Sequence, residues 1–342
     1  MLFLAKKWRM NIGFILLAIF LSLGLLSQYT FTLLDPVDPS GKSSNVLVRI
    51  PPRSSTDQIA AMLEQQGIIR DDRAFRLYAR FHNLDNRIQA GYYLLNASMS
   101  TEEILNILVR GKTAYKSFTI PEGYTLKQIT ESLAAKGFIR EPLFKDLLVN
   151  GQFNYAFLKD LPRGDRRLEG YLFPETYNIG LDSAEKDILN VMLDGMDRQI
   201  KEIQLEEKAK AMNLTLHQAV TIASMIEREA RVDKDRTLIS SVIHNRLKAG
   251  MRLQIDATVE YALGGHREKI YYKDLEVDSP YNTYKFNGLP PGPIASPGRE
   301  SLLAAVNPAQ TKYLYYVAKP DGSHAFSETL AEHNANKNKY LK

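Results

Sequence analysis

Apolar side chains recur at spacings of three and four over much of this chain, which predicts helices joined by short strands. Ile59, Met62 and Leu63 set one such stripe, and Ile129 and Leu133 another. Runs such as VLVRI (from Val46), SFTI (from Ser117) and AGYYLL (from Ala90) have the length and side chains of strands. Near the C terminus, YLYYVAKPDGSHAFSETLAEHN predicts two strands around a Pro320-Asp321-Gly322 turn, then a helix. Thr215 with Gln218 forms a capping box, so a helix is expected from Leu216 to about Ala230. Asp233 is expected to cap the next helix, which Gly250 ends, and Asp256 a third, which Gly264 and Gly265 end.

The pattern repeats itself. IPPRSSTDQIAAMLEQQGIIRDDRAFRLY from Ile50 aligns without a gap on IPEGYTLKQITESLAAKGFIREPLFKDLL from Ile120. Identities at Ile59/Ile129, Leu63/Leu133, Gly67/Gly137 and Ile69/Ile139 are apolar or turn positions, so the repeat encodes a shape. Each copy reads as strand, Pro turn, helix ended by glycine, and second helix. Small units of this kind resemble LysM modules, which bind glycans containing N-acetylglucosamine; the alternative is a pair of packing modules that only position the C-terminal half of the chain.

One segment departs from amphipathic patterning. Ile12 to Leu26 carries no charge, and the uncharged stretch continues to Leu34. That is the ~20 residues a bilayer core requires. Lys6, Lys7 and Arg9 precede it, which predicts a cytoplasmic tail (1–11), an anchor (12–34) in the inner membrane and an extracytoplasmic body. The alternative is a cleaved signal peptide, but the apolar run has no Ala-x-Ala-like site after it. Trp8 fits an interfacial anchor, and the linker at 35–45, DPVDPSGKSSN, lacks apolar periodicity. The tandem LysM-like region is then expected over 46–155 and a catalytic domain over 156–342. The whole is of the α+β class.

Composition narrows the chemistry. The 342 residues are 44% hydrophobic and 24% charged, with net charge +5 and no cysteine. Disulfides, thiol catalysis and thiolate metal sites are excluded. No basic block lies outside the N terminus, so nucleic acid is not an expected partner. The histidines lack metal-ligand spacing, the serines lack a G-x-S-x-G elbow, and no nucleotide glycine pattern occurs, so neither metal nor cofactor is expected.

Two carboxylates stand out: Glu227 and Glu229, at the end of the apolar run TIASMIEREA. They are either ordinary end-of-helix charges or acids held for chemistry. At about 100° per residue, Val220, Ala223, Ser224 and Glu227 share one face, and Ile222, Met225, Ile226 and Glu229 the other. The two therefore cannot flank one bond as a glycosidase pair does, at about 5 Å or 6.5–9.5 Å. If Glu227 is catalytic, it acts alone or with a distant group such as Glu169 or Asp256. The small Ala223 and Ser224 would leave room for substrate beside it. Glu229 would be structural, paired with Arg228, Arg236 or Arg246. Residues 251–300 are dense in groups suited to sugars, including Gln254, Tyr281, Asn282, Tyr284 and a Pro-rich loop at 290–297.

Taken together, LEGYLFPETY, ASMIEREA, HNRLKAGMRLQIDATVEYALG, SPYNTYKFNGLPPGPIASPG and HAFSETLAEHN resemble the MltG (YceG-like) family of endolytic murein transglycosylases. Asp256-Ala257-Thr258 departs from the family's usual Asp-Pro-Thr. The resemblance implies a catalytic acid at Glu227 and glycan contacts at Glu169, Asn245, Gln254, Asp256, Tyr281 and Asn282. It implies a lyase that cuts between N-acetylmuramic acid and N-acetylglucosamine in peptidoglycan strands, leaving 1,6-anhydro ends, with cell-wall synthesis enzymes as candidate partners. The competing expectation is a membrane-tethered scaffold that binds peptidoglycan without cutting.

Overall fold

A computed structural model describes residues 32–341 apart from 112, 266, 268 and 269. The expected tail and nearly all of the expected anchor lie outside the described residues. Among the described residues, no helix is long and apolar enough to cross a membrane. The α+β class holds: helices are joined by three separate two-stranded sheets.

The chain divides into two compact units. One ends at Lys116 and takes in Gly180–Asp182; the other comprises Ser117–Ile179 and everything from Ser183. In the first unit, β1 (Val46–Ile50) pairs antiparallel with β2 (Gly91–Leu95), Val48 opposite Tyr93. Strand alternation sends Val48, Ile50, Tyr93 and Leu95 inward and leaves Leu47 and Leu94 outside. Helices Thr56–Gln65, Asp72–Phe81 and Thr101–Arg110 close the core with Ile59, Leu63, Phe75 and Leu105.

The two repeat copies fold alike where their residues match. Ser55 with Gln58, and Thr125 with Gln128, form reciprocal capping boxes at the starts of Thr56–Gln65 and Leu126–Ala135. Both helices end on a left-handed glycine, Gly67 at φ +67° and Gly137 at φ +71°. Beyond it, the Ile68 N–H reaches back to the Leu63 carbonyl and the Phe138 N–H to the Leu133 carbonyl, both at 2.9 Å. This closure satisfies carbonyls the helix end would leave bare.

The copies belong to different units. Ile120, Ile129, Leu133, Phe144 and Leu148 of the second copy share one hydrophobic core with Leu168, Tyr171 and Ile222. The division between the compact units falls at 116/117, within the region 46–155 that the repeat spans. Periodicity marks a repeat but not which neighbour covers its apolar face. The strand of the second copy, β3 (Tyr115–Thr119), pairs with β4 (Thr176–Gly180), a strand not expected from the aromatic-rich LEGYLFPETYNI.

The centre of the larger unit is the helix Leu216–Glu229, which starts at the expected Thr215 capping box. Every residue from Ala219 to Ile226 is buried. Helices Asp233–Lys248 and Arg299–Ala305 pack against it. Asp233 and Asp256 are the first residues of their helices rather than the caps, Val232 and Ile255 taking that position. The C-terminal hairpin forms as expected, with β5 (Tyr315–Ala318) against β6 (His324–Ser327), and then the helix Leu330–Tyr340.

A Cβ added at Gly67 or Gly137 would meet nothing within 4 Å, so substitution there costs backbone strain alone. Gly67→Ala and Gly137→Ala are each expected to lower stability by about 1–2 kcal/mol, and by similar amounts, in chemical denaturation.

Candidate active site

The site is built from the end of the Leu216–Glu229 helix and a Pro/Gly-rich segment that crosses it. Residues 292–298 have no regular secondary structure and are buried throughout. Buried irregular backbone must still satisfy its polar groups. Here Pro293 and Pro297 lack an N–H altogether. The Ile294 N–H donates to Ser224 Oγ at 3.0 Å, and the Ser296 N–H to the Tyr124 carbonyl at 2.8 Å. The Ser296 carbonyl accepts from the Gly123 N–H at 2.8 Å, and the Gly298 N–H donates to Glu227 Oε2 at 3.0 Å.

Small residues make this crossing possible. A Cβ on Gly170 would overlap the Pro293 ring, and Gly170 adopts φ +80°, which a side chain would oppose. The Pro291 carbonyl accepts from His217 Nε2 at 2.9 Å, so His217 Nδ1 is the ring's acceptor and the Tyr171 hydroxyl donates to it, also at 2.9 Å. The expectation that Ala223 and Ser224 leave room for substrate is corrected here. The space beside Ser224 is taken by the segment, and Ser224 is fully buried. The Pro-rich stretch is likewise an internal crossing rather than an open sugar-binding loop.

Glu227 and Glu229 diverge as the helical phase requires. The Glu227 side chain is only 8% exposed, with Oε1 at 3.6 Å from Arg236. Glu229 accepts a hydrogen bond from the Tyr316 hydroxyl at 3.1 Å. Burial, with the charge of Asp256 second, pushes the Glu229 pKa up to about 7. The arginines expected beside Glu229 have other work. Arg236 turns to Glu227 and Arg228 to Glu260 at 3.3 Å. Arg246 donates to the carbonyls of Arg252, Leu253 and Leu314. A tyrosine hydroxyl stands where an ion pair was expected.

Arg228, between the two glutamates, lines a cleft of about 670 Å³ with Arg166, Glu169, Glu260 and Tyr261. Glu169 is 4% exposed and accepts from the Leu126 N–H and the Tyr261 hydroxyl, both at 2.9 Å. Burial outweighs those bonds and raises its pKa to about 7. The Tyr281 ring lies tilted against Tyr261, centroids 4.8 Å apart, with the Arg166 guanidinium 5.1 Å from its ring centroid.

The remaining candidates face elsewhere. Asp256 accepts from the Tyr284 hydroxyl at 2.6 Å, and Gln254 Oε1 from Arg246 at 3.3 Å, on the Glu229 side. Asn245 holds the carbonyls of Thr311 and Tyr313, both at 2.9 Å. Asn282, fully buried, donates to Leu275 and Val277 and accepts from the Tyr284 N–H. Arg236, expected beside Glu229, stands at Glu227 instead, and Glu122, whose carboxylate a Cβ on Gly298 would overlap, was not singled out from the sequence. The signal for Glu122 was that it takes the place of Pro52 directly after the matching Ile-Pro of the repeat.

The model of the YceG-like family matches residues 48–339. The chain belongs to the YceG-like family. Among similar relatives, an endolytic murein transglycosylase of Bacillus subtilis (strain 168) is 39% identical, over 92% of this chain and 89% of its own length. One from Streptococcus pneumoniae serotype 2 is 35% identical over 90% of this chain, which spans 60% of that longer protein. A crystal structure of a yceG-like protein from Listeria monocytogenes matches at TM-score 0.56 and 36% identity, covering 86% of this chain and 99% of that one. The family match begins at Val48 and so takes in both repeat copies and the whole site.

Glu169 binds more protons folded than unfolded between about pH 4.5 and 7, so its contribution to stability is present at low pH and is lost as pH rises through that window. The loss is of the order of 3 kcal/mol. Gln can keep both bonds, since the Tyr261 hydroxyl can accept as well as donate. Melting curves across this range are expected to decline less steeply for Glu169→Gln than for the parent.

Proposed function

We propose that this YceG-like protein cuts peptidoglycan strands internally, with Glu227 as the acid and then the base. The lyase class expected from the sequence holds, since the relatives named above are transglycosylases that match over nearly the whole chain. The observation that carries the choice of residue is the setting of Glu227. Its carboxyl is withdrawn from bulk water, oriented by the Gly298 N–H, and one helical step from the cleft wall at Arg228. Glu169 and Glu229 are committed to tyrosine hydroxyls.

In this reading, Glu227 in its protonated form gives a proton to the glycosidic oxygen between N-acetylmuramic acid and N-acetylglucosamine. The bond from C1 to that oxygen breaks, and its electron pair goes to the oxygen. The muramic 6-hydroxyl attacks C1, and its proton passes to the Glu227 carboxylate. No water is consumed, so no carboxylate has to activate water on the opposite face of the sugar. Glu169 and Arg166, with Tyr261, form the wall that receives the strand, and Tyr281 backs Tyr261. Asn245, Gln254, Asp256 and Asn282 act by holding the surrounding segments. An anchor at 12–34 would keep the enzyme at the inner membrane, where new strands and the synthesis enzymes are met, and the repeats, read as LysM-like, would bind the strands.

The test is to incubate uncrosslinked glycan strands with the protein and weigh the fragments. Internal fragments one water lighter than hydrolysis products are expected, and none from Glu227→Gln, with a reduction of at least about 10²-fold. Ordinary reducing ends would indicate a hydrolase, and intact strands the non-cutting scaffold; retained cleavage by Glu227→Gln would refute the assignment.

A further inference from the structure

We propose that Glu122 is a positioning residue for Glu227, a second carboxyl seated on the same glycine that shares a proton with it. The inference rests on the reading of Glu227 as the acid. It begins with the repeat. Glu122 and Gly123 stand where the first copy has Pro52 and Arg53. The turn has one shape in both: Arg53 lies at φ +65° and Gly123 at φ +75°. Its chemistry differs, because the second copy presents a carboxylate where the first presents a proline ring.

That turn is docked at the site by the paired bonds of Gly123 and Tyr124 to Ser296, each 2.8 Å. Arg228 Nη1 adds a bond to the Gly123 carbonyl at 3.4 Å. A Cβ on Gly123 would lie 3.9 Å from Glu227 Cγ. Two residues after Ser296, Gly298 joins the two acids. Its N–H bonds Glu227, and its bare Cα accepts the Glu122 carboxylate in the space a side chain would fill. Both carboxyls therefore rest on one residue.

The charges around them do not balance. Arg236 faces Glu227 at 3.6 Å, is shared with Asp233 at 3.4 Å, and donates to Ser301 Oγ at 2.8 Å. Arg228 is directed to Glu260. Glu122 feels Glu227, Asp233 and Glu300 on the acidic side and Arg236 on the basic side. The protein packed around its carboxyl, then the charge of Glu227, push its pKa up. Two close carboxyls served by one shared guanidinium do not both ionise readily, so the two compete for ionisation and share a proton. That proton leaves for the glycosidic oxygen and is replaced by the one the 6-hydroxyl gives up. Glu122 acts through Glu227 and needs no contact with the sugar.

The experiment is the pH profile of kcat and KM on glycan strands for the full chain, with Glu122→Gln and Gly298→Ala. Glu122→Gln removes the second charge. Gly298→Ala keeps the carboxylate but displaces it, and φ −76° at Gly298 suits alanine, so this variant carries the test should Glu122→Gln fail to fold. In both, the fall in kcat with rising pH is expected about one unit lower than in the parent, an approximately tenfold loss near pH 7 that closes toward pH 5, with KM little changed. Coincident profiles, or an effect on KM alone, would overturn the proposal. So would equal loss at every pH, which would mean Glu122 is required in its own right. Glu227→Gln, run alongside, is expected to be inactive throughout; cleavage by that variant would refute the reading of Glu227 instead.

Discussion

The site depends on burying seven residues of irregular backbone, 292–298, across the end of the central helix. Such backbone is normally kept at the surface because water satisfies it there. This segment stays inside by combining two devices. Prolines remove donors, and the N–H groups of Ile294, Ser296 and Gly298 find Ser224 Oγ, the Tyr124 carbonyl and Glu227 Oε2. Glu227 is thus an acceptor the fold requires as well as the acid proposed for chemistry. In that proposal one hydrogen bond links stability to function.

That constraint explains the small residues around it. Ser224, Gly170 and Gly298 are each placed where a larger side chain would meet the segment or its partners. The same crossing brings distant parts of the sequence together. Gly123, Glu227 and Ser296 become neighbours because the segment has edges on both sides, one paired with the second repeat copy and the other with the helix.

Three glutamates on or near this frame differ by what accompanies their burial. Glu169 and Glu229 each have a tyrosine hydroxyl as partner, and burial lifts both to about 7. Glu227 instead has a guanidinium and a backbone N–H. Carboxyls of one residue type thereby meet different partners in the folded chain.

Much of this was legible in the residues. Apolar spacing, the capping box at Thr215, and glycines at 67 and 137 act within a few positions, so local pattern is enough to read them. The divergence of Glu227 and Glu229 also comes from helical phase alone. What the sequence left open was every contact between segments far apart in it. The unit to which the second copy belongs, the filling of the space beside Ser224, the hydroxyl rather than arginine at Glu229, and the approach of Glu122 were decided only in the folded chain. The physical reason is common to all four. Each depends on which buried polar group or apolar face lacks a partner once the elements pack, and that is a property of their arrangement in space rather than of any one stretch.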